Sequence, residues 1–223
     1  MEQLTDIKWL GHASFMFTDM MSGKRIYYID PFDLKEKNLQ KADLIFITHA
    51  HYDHCSKEDV QKLITQDTTV IAPSDCLKNL AIPQNLQFPV LPNQTYNVKA
   101  FQFMTIPAYN THPDRLQAHP KENKWVGYIF TINGKKIYHA GDTDFIPEMK
   151  TLAAMHLDIA MLPMGGKYTM DVSEMAKAAN TIAATYTIPM HYKRLLGENY
   201  KEAEETLKKL VTKSEVRILS EVQ

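Results

Sequence analysis

The run Thr48-His49-Ala50-His51-Tyr52-Asp53-His54 sets four metal-capable side chains directly behind an apolar, strand-like segment, Leu44-Ile45-Phe46-Ile47. A strand sends residues i and i+2 to the same face, so His49 and His51 at its carboxyl end converge on one ion. Asp53 and His54 follow as the chain turns toward a helix, and adjacent side chains there diverge enough to serve a second ion. The pattern therefore reads as two metal sites. A chance match to it is on the order of one in a thousand, and a solvated loop of unrelated polar residues leaves its density unexplained.

A catalytic zinc keeps about three protein ligands plus water, so each pair needs a further partner from elsewhere in the chain. His112, His119, Asp142 and His191 qualify. Asp142, in Ala140-Gly141-Asp142-Thr143-Asp144, follows an expected strand, and its two oxygens can bridge two cations. His191, in Pro189-Met190-His191-Tyr192, also ends an expected strand and is assigned to the second ion. The loop over residues 108–124 offers both His119 and His112 as the third ligand of the first ion. His119, nearer the strand expected from Val126, is favoured, which leaves His112 to line the substrate entrance; loop position alone does not decide between them.

Behind these ligands, Asp30 at the end of an expected strand can orient a ligand histidine through its other ring nitrogen. His12 is a pocket or supporting group. Tyr168, shaped by Gly165-Gly166, is a pocket residue, and Lys193 with Arg194 can receive a phosphate or carboxylate. Tyr109 and Asn110 lie on loops expected to face the metal edge. His139 reads as packed, His156 as solvent-facing, and Cys55 as a small packed side chain.

The elements that must present these residues alternate between short β-rich and helical segments, as expected for helices layered on sheet. Strands are expected over residues 7–10, 15–18, 26–29, 44–48 and 69–72, and later over 98–106, 126–132, 136–140, 158–162, 185–189 and 216–219. Helices are expected from Ser56, whose hydroxyl and Asp59 suit an N-terminal cap, and over 147–155, 173–182 and 200–211. In the last of these Ala203, Leu207 and Leu210 form the apolar face. The methionines spread along these segments read as core filler.

At 223 residues and 44% hydrophobic content the chain can close one core, so a single domain over 1–223 is the expectation. A formal charge of −1 argues against broad binding to nucleic acid or a membrane. The N-terminus Met1-Glu2-Gln3-Leu4-Thr5-Asp6 is acidic and polar rather than signal-like, and two cysteines build no disulfide framework. Both suit a cytoplasmic protein.

His49-Ala50-His51-Tyr52-Asp53-His54, Gly141-Asp142-Thr143 and Pro189-Met190-His191-Tyr192, in that order, resemble the metallo-β-lactamase superfamily of metal-dependent hydrolases over nearly the whole chain. Leu10-Gly11-His12-Ala13-Ser14, Ile29-Asp30-Pro31 and Tyr138-His139-Ala140-Gly141-Asp142-Thr143-Asp144 look more narrowly like its ascorbate-6-phosphate lactonase-like branch. The resemblance implies an α/β fold, a four-layer αββα sandwich with the metals at one edge of two packed sheets. It also implies that His49, His51 and a loop histidine hold one metal, Asp53, His54 and His191 the second, and Asp142 both.

Imidazole and carboxylate ligands without thiolate suit two divalent metal ions, with zinc the default and manganese or iron compatible. The superfamily's iron redox members carry Glu where this chain has His51, which argues against an oxygen-reducing centre. Two divalent ions outweigh Asp53 and Asp142, so the pocket attracts anions, and Asp53 is the candidate proton acceptor. The expected activity is hydrolysis of a small, anionic ester, lactone or phosphodiester by an activated water. Cleavage of nucleic acid and a non-catalytic metal-binding role are the alternatives. The first is disfavoured because no nucleic-acid-gripping insertion is visible, the second because every ligand type is present.

Overall fold

Two runs of short strands, each leading into helices, organise the computed structural model, which describes Leu4, residues 6–35 and residues 38–222. Most of the acidic N-terminal hexapeptide, residues 1–3 and 5, lies outside the described residues. The chain divides into two compact units, Met1–Val90 with Ser220–Gln223, and Leu91–Leu219. Among the described residues no helix is long and apolar enough to cross a membrane.

In the first unit β1 (Ile7–Gly11), β2 (Ser14–Asp19) and β3 (Arg25–Ile29) form an antiparallel meander. β4 (Leu44–Phe46), β5 (Thr69–Ala72) and β6 (Gln87–Pro89) then add in parallel, giving a six-stranded sheet in chain order. Parallel strands are buried on both faces, and Leu44, Ile45, Phe46 and Ile47 are all sealed from solvent. Helices α1 (Lys57–Leu63) and α2 (Ser74–Leu80) bring Val60, Leu63, Cys76, Leu77 and Leu80 into one cluster with Ile45, Ile47, Val70 and Ala72. Ser56 caps α1 by accepting the Asp59 N–H at 3.2 Å. α2 and β6 extend the sheet beyond the elements expected from the sequence. β4 is shorter than expected because the Thr48 N–H leaves the strand ladder and donates to the Asp30 carboxylate at 2.8 Å.

The second unit repeats the scheme. β7 (Thr95–Val98), β8 (Phe101–Pro107), β9 (Val126–Ile132) and β10 (Lys135–His139) run antiparallel, and β11 (Ile159–Pro163), β12 (Tyr186–Met190) and β13 (Glu215–Val216) continue in parallel. The single strand expected over 98–106 is instead the β7–β8 hairpin, turned by Lys99 and Ala100 at φ 51° and 64°. Non-glycine residues rarely adopt that conformation, so no turn signal marks the bend. Asn133 and Gly134, both at positive φ, close β9 onto β10 as a two-residue turn demands. Residues Pro147–Met155 form a 3₁₀ rather than an α-helix.

The remaining helices are α3 (Val172–Ile182), the short α4 (Lys193–Leu196) and α5 (Tyr200–Leu210). α5 buries Ala203 and Leu207, but Leu210 at its last turn is 41% exposed rather than part of the apolar face. Met149, Met161, Met164, Met170, Met175 and Met190 are fully buried, as core filler requires.

At the start of β9, Gly127 faces the backbone that leads to Asp142. A Cβ there would stand 2.7 Å from both the His139 and Ala140 carbonyl oxygens. Backbone cannot step aside as a flexible side chain can. Gly127→Ala is therefore expected to cost about 1–3 kcal/mol, read as a lower denaturant midpoint with unchanged slope.

Candidate metal centre

The chemistry-bearing residues of both units sit at or just beyond the carboxyl ends of strands, where α/β sheets expose their functional edge. In the first unit Asp30 follows β3, and residues 48–54 follow β4. Asp30 is fully buried at φ 45°, a left-handed conformation that aspartate tolerates better than most residues. Its Oδ1 accepts the Thr48 N–H, and its Oδ2 accepts the Thr48 hydroxyl at 2.6 Å and His54 Nδ1–H at 2.7 Å.

These bonds decide where the imidazole protons lie. Asp30, as carboxylate, can only accept, so His54 carries its proton on Nδ1 and keeps Nε2 unprotonated. Thr48 Oγ1 spends its hydrogen on Asp30 and therefore accepts from His49 Nδ1, 2.9 Å away, which leaves His49 Nε2 as a bare donor atom. That nitrogen lies 3.1 Å from His51 Nδ1, while the His49 and His54 ring centroids are 4.0 Å apart. Asp30, His49 and His54 form one compact group of ligand atoms. His12, at φ 52°, meets Asp53 Oδ2 through Nε2 at 3.0 Å. Thr48 is the residue the sequence reading passed over, although a hydroxyl directly preceding a candidate ligand histidine is a usable signal.

Cys55 follows His54 but faces away from this set. Its Sγ–H points at the Cys76 carbonyl at 3.7 Å, and burial, followed by the neighbouring Cys55, pushes the Cys76 thiol up from its ordinary pKa. Both cysteines are buried thiols.

In the second unit Asp142 follows β10, His191 follows β12, and His119 lies in the loop after β8. All three are buried. Both His119 Nε2 and His191 Nε2 aim at Asp142 Oδ2, at 3.3 and 3.1 Å. Two donors about 2.0–2.1 Å from one tetrahedral ion stand about 3.3 Å apart. The spacings around Asp142 and between His49 and His51 match that chord, so the donor sets of both units fit divalent metal. His191 adopts φ 57°, and Gly165 makes room for it: a Cβ at Gly165 would meet the His191 carbonyl at 2.6 Å.

The other expected residues are placed differently. His112 is about half exposed and accepts the Asp114 N–H as the cap of a short 3₁₀ turn, while His119 is buried. Tyr168 is 40% exposed, and its carbonyl accepts from Asn110 Nδ2 at 2.8 Å. The same amide reaches the Arg115 carbonyl at 2.8 Å and lies 3.1 Å from His119 Nδ1, so Asn110 ties the His119 loop to the Tyr168 loop. The Lys193 ammonium stands 5.5 Å from the Tyr200 ring centre, and Arg194 is exposed. His139 is buried and accepts the Gly141 N–H, and His156 is exposed.

Tyr109 is tied into the scaffold and also lines a cleft. Its backbone pairs with Thr143 and Asp144, and its hydroxyl donates to Glu148 at 2.9 Å and accepts from Lys121 at 3.1 Å. Burial pushes the phenol above its ordinary pKa, with Lys121 opposing and Glu148 reinforcing the shift. Lys121, Lys124 and Trp125 line a cleft of about 400 Å³ that includes none of the buried donors.

The loop carrying His119 has its own anchor. Asp144, fully buried, accepts the Thr111 and His112 N–H groups at 2.7 and 2.8 Å and pairs with Arg115 Nε at 2.5 Å; Arg115 also pairs with Glu174 of α3. Burial pulls the Arg115 pKa down, but Asp144 and Glu174 more than offset it and hold it above its ordinary value.

A family model described as a β-lactamase superfamily domain matches residues 6–191. A metal-dependent hydrolase of Thermoplasma acidophilum, assigned to the UPF0173 group, is 36% identical over 202 residues, covering 86% of this chain and 84% of that protein. One from Pyrococcus furiosus in the same group is 30% identical over 222 residues, covering 89% and 95%. The solved structure of a candidate metal-dependent hydrolase from Parabacteroides distasonis has a TM-score of 0.83 at 34% identity and covers 97% of this chain and 93% of its own. Igni18, a metallo hydrolase from Ignicoccus hospitalis, has a TM-score of 0.76 at 21% identity, over 97% and 95% of the two chains, and shares the fold.

Arg115→Met leaves Asp144 as a buried charge without its cation. That loss is expected to cost about 3–5 kcal/mol and to speed limited proteolysis within residues 108–124; cleavage at the parent rate would show that the pair does not hold the loop.

Proposed function

Because this chain belongs to the metallo-β-lactamase superfamily, within the UPF0173 metal-dependent hydrolases, we propose that its metal dependence is dinuclear and that 1–223 acts as one hydrolase domain. His49, His51 and His119 hold the first divalent ion, Asp53, His54 and His191 the second, and Asp142 bridges them, with zinc the default occupant. The observation that carries this reading is the aim of two imidazoles, His119 and His191, at a single oxygen of Asp142. A lone ion pair needs one histidine, whereas a carboxylate shared between two ions draws a histidine ligand from each.

Such ions, when bound, supply Lewis acidity and bring the pKa of a coordinated water toward 7. The protein's own groups do the rest. Asp30 and Thr48 fix the His49 and His54 tautomers, so both Nε2 atoms keep their lone pairs for a ligand role without rearrangement. Asp53, with 19% of its side chain exposed against 3% for Asp142, is the carboxylate able to accept a proton and pass it toward solvent. His12 holds its Oδ2 from behind.

The substrate is a small, anionic ester, lactone or phosphodiester, the lactone following from the resemblance to ascorbate-6-phosphate lactonase-like proteins. Tyr168, on a loop of the second unit, and Lys193 and Arg194, on α4, are the candidate groups for an anionic end, and His112, exposed in the loop that carries His119, is the candidate histidine for the substrate entrance. A cytoplasmic location accords with the reduced thiols of Cys55 and Cys76.

Zinc reconstitution is expected to give two ions per chain by elemental analysis, with hydrolysis detected across a panel of esters, lactones and phosphodiesters. His51→Ala should lower kcat/KM by more than the roughly 10–100-fold typical of losing a group behind a ligand, while the unfolding midpoint stays near the parent's. A fully active variant overturns the assignment. Asp30→Asn, which returns no negative charge to His54 and Thr48, is expected to weaken zinc binding by about 10–100-fold in a chelator competition.

A further inference from the structure

One large aromatic ring stands in solvent inside the motif that supplies the metal ligands. Tyr52, between His51 and Asp53, is 78% exposed, whereas His49, Asp30 and His54 around it are buried. The backbone explains the projection. His54 N–H donates to the His51 carbonyl at 3.1 Å and Cys55 N–H to the same oxygen at 2.8 Å, closing a tight turn with Tyr52 on its outer side.

The ring is nevertheless braced. It meets Phe32 edge-on, with centroids 5.8 Å apart at 79°, and Phe32 in turn lies 5.8 Å from the His12 ring. Phe32 itself is held on a pinned segment. Asp30 on one side is locked to Thr48 and His54, and on the other the Asp33 and Leu34 N–H groups donate to the Asp59 carboxylate at 2.9 and 3.2 Å. Both rings therefore ride on backbone fixed by buried carboxylates, and a tyrosine has only two side-chain torsions to immobilise when a ligand arrives.

We propose that Tyr52 and Phe32 form an aromatic platform for the substrate, so that the compound cut here carries a phenyl-like or similarly flat apolar group close to the reacting bond. This rests on the dinuclear hydrolase reading for the position of that bond. Residue 52 is bonded to a proposed ligand on each side, and the Tyr52–Phe32 pair leads through the His12 ring to Asp53, so the platform is built onto the proposed donor set. The platform adds an apolar requirement to a pocket otherwise defined by charge.

The test uses the zinc-loaded protein and the carboxylates that simple esters release, phenylacetate and acetate, with affinities read by calorimetry. Wild type should bind phenylacetate about fivefold or more tighter than acetate, as an added aromatic contact provides. Tyr52→Ala should erase that difference with two zinc ions still bound, Phe32→Leu should reduce it, and Tyr52→Phe should keep it. Equal affinities in the wild type with two zinc ions present, or a preference that survives both Tyr52→Ala and Phe32→Leu, overturns the platform alone. A protein that takes up no zinc, or binds neither carboxylate, overturns the hydrolase reading and the platform with it.

Discussion

A single buried carboxylate carries the architecture of the first unit's donor set. Asp30 has no solvent exposure, and burying an ion without compensation is among the costliest acts in folding. Here two oxygens receive a backbone N–H, a hydroxyl and an imidazole N–H, so the charge is solvated by fixed dipoles. The consequences run outward. β4 must stop early to surrender the Thr48 N–H, the chain must turn left-handed at residue 30, and two histidines lose their choice of tautomer.

The second unit solves the same problem with different parts. Asp144 is equally buried and takes two backbone N–H groups, yet balances its charge with Arg115 rather than with an imidazole. A guanidinium cannot shed its proton, so this partner suits a permanent brace, whereas the Asp30 partner is a buried ring whose other nitrogen keeps its lone pair. Each donor loop is thus rooted in a buried aspartate outside it: Asp30, one strand before residues 48–54, and Asp144, two strands after the loop that carries His119.

Much of this was legible in the sequence because it is local. The cap at Ser56 and the Asn133-Gly134 turn follow from neighbours in the chain and lie where expected, and His49 and His51, two residues apart, come within 3.1 Å of each other. What escaped depends on partners far along the chain or on rare conformations. Thr48 gains its role from Asp30, eighteen residues earlier; the β7–β8 bend uses Lys99 and Ala100, which carry no turn preference; and Arg115 is assigned by Asp144 and Glu174. Leu210 matched the helical period but sits at the helix end, where the covering structure has run out. His119 and His112 differ by burial, a quantity that spacing within a loop does not encode.

Cys55 stands next to His54, a proposed ligand, yet its sulfur is turned to the Cys76 carbonyl in an apolar setting. A thiolate in that place would have drawn soft cations such as cuprous or cadmium ions, which prefer sulfur over nitrogen and oxygen. Folding the thiol inward keeps sulfur out of the proposed donor set, which leaves only nitrogen and oxygen there to select an ion.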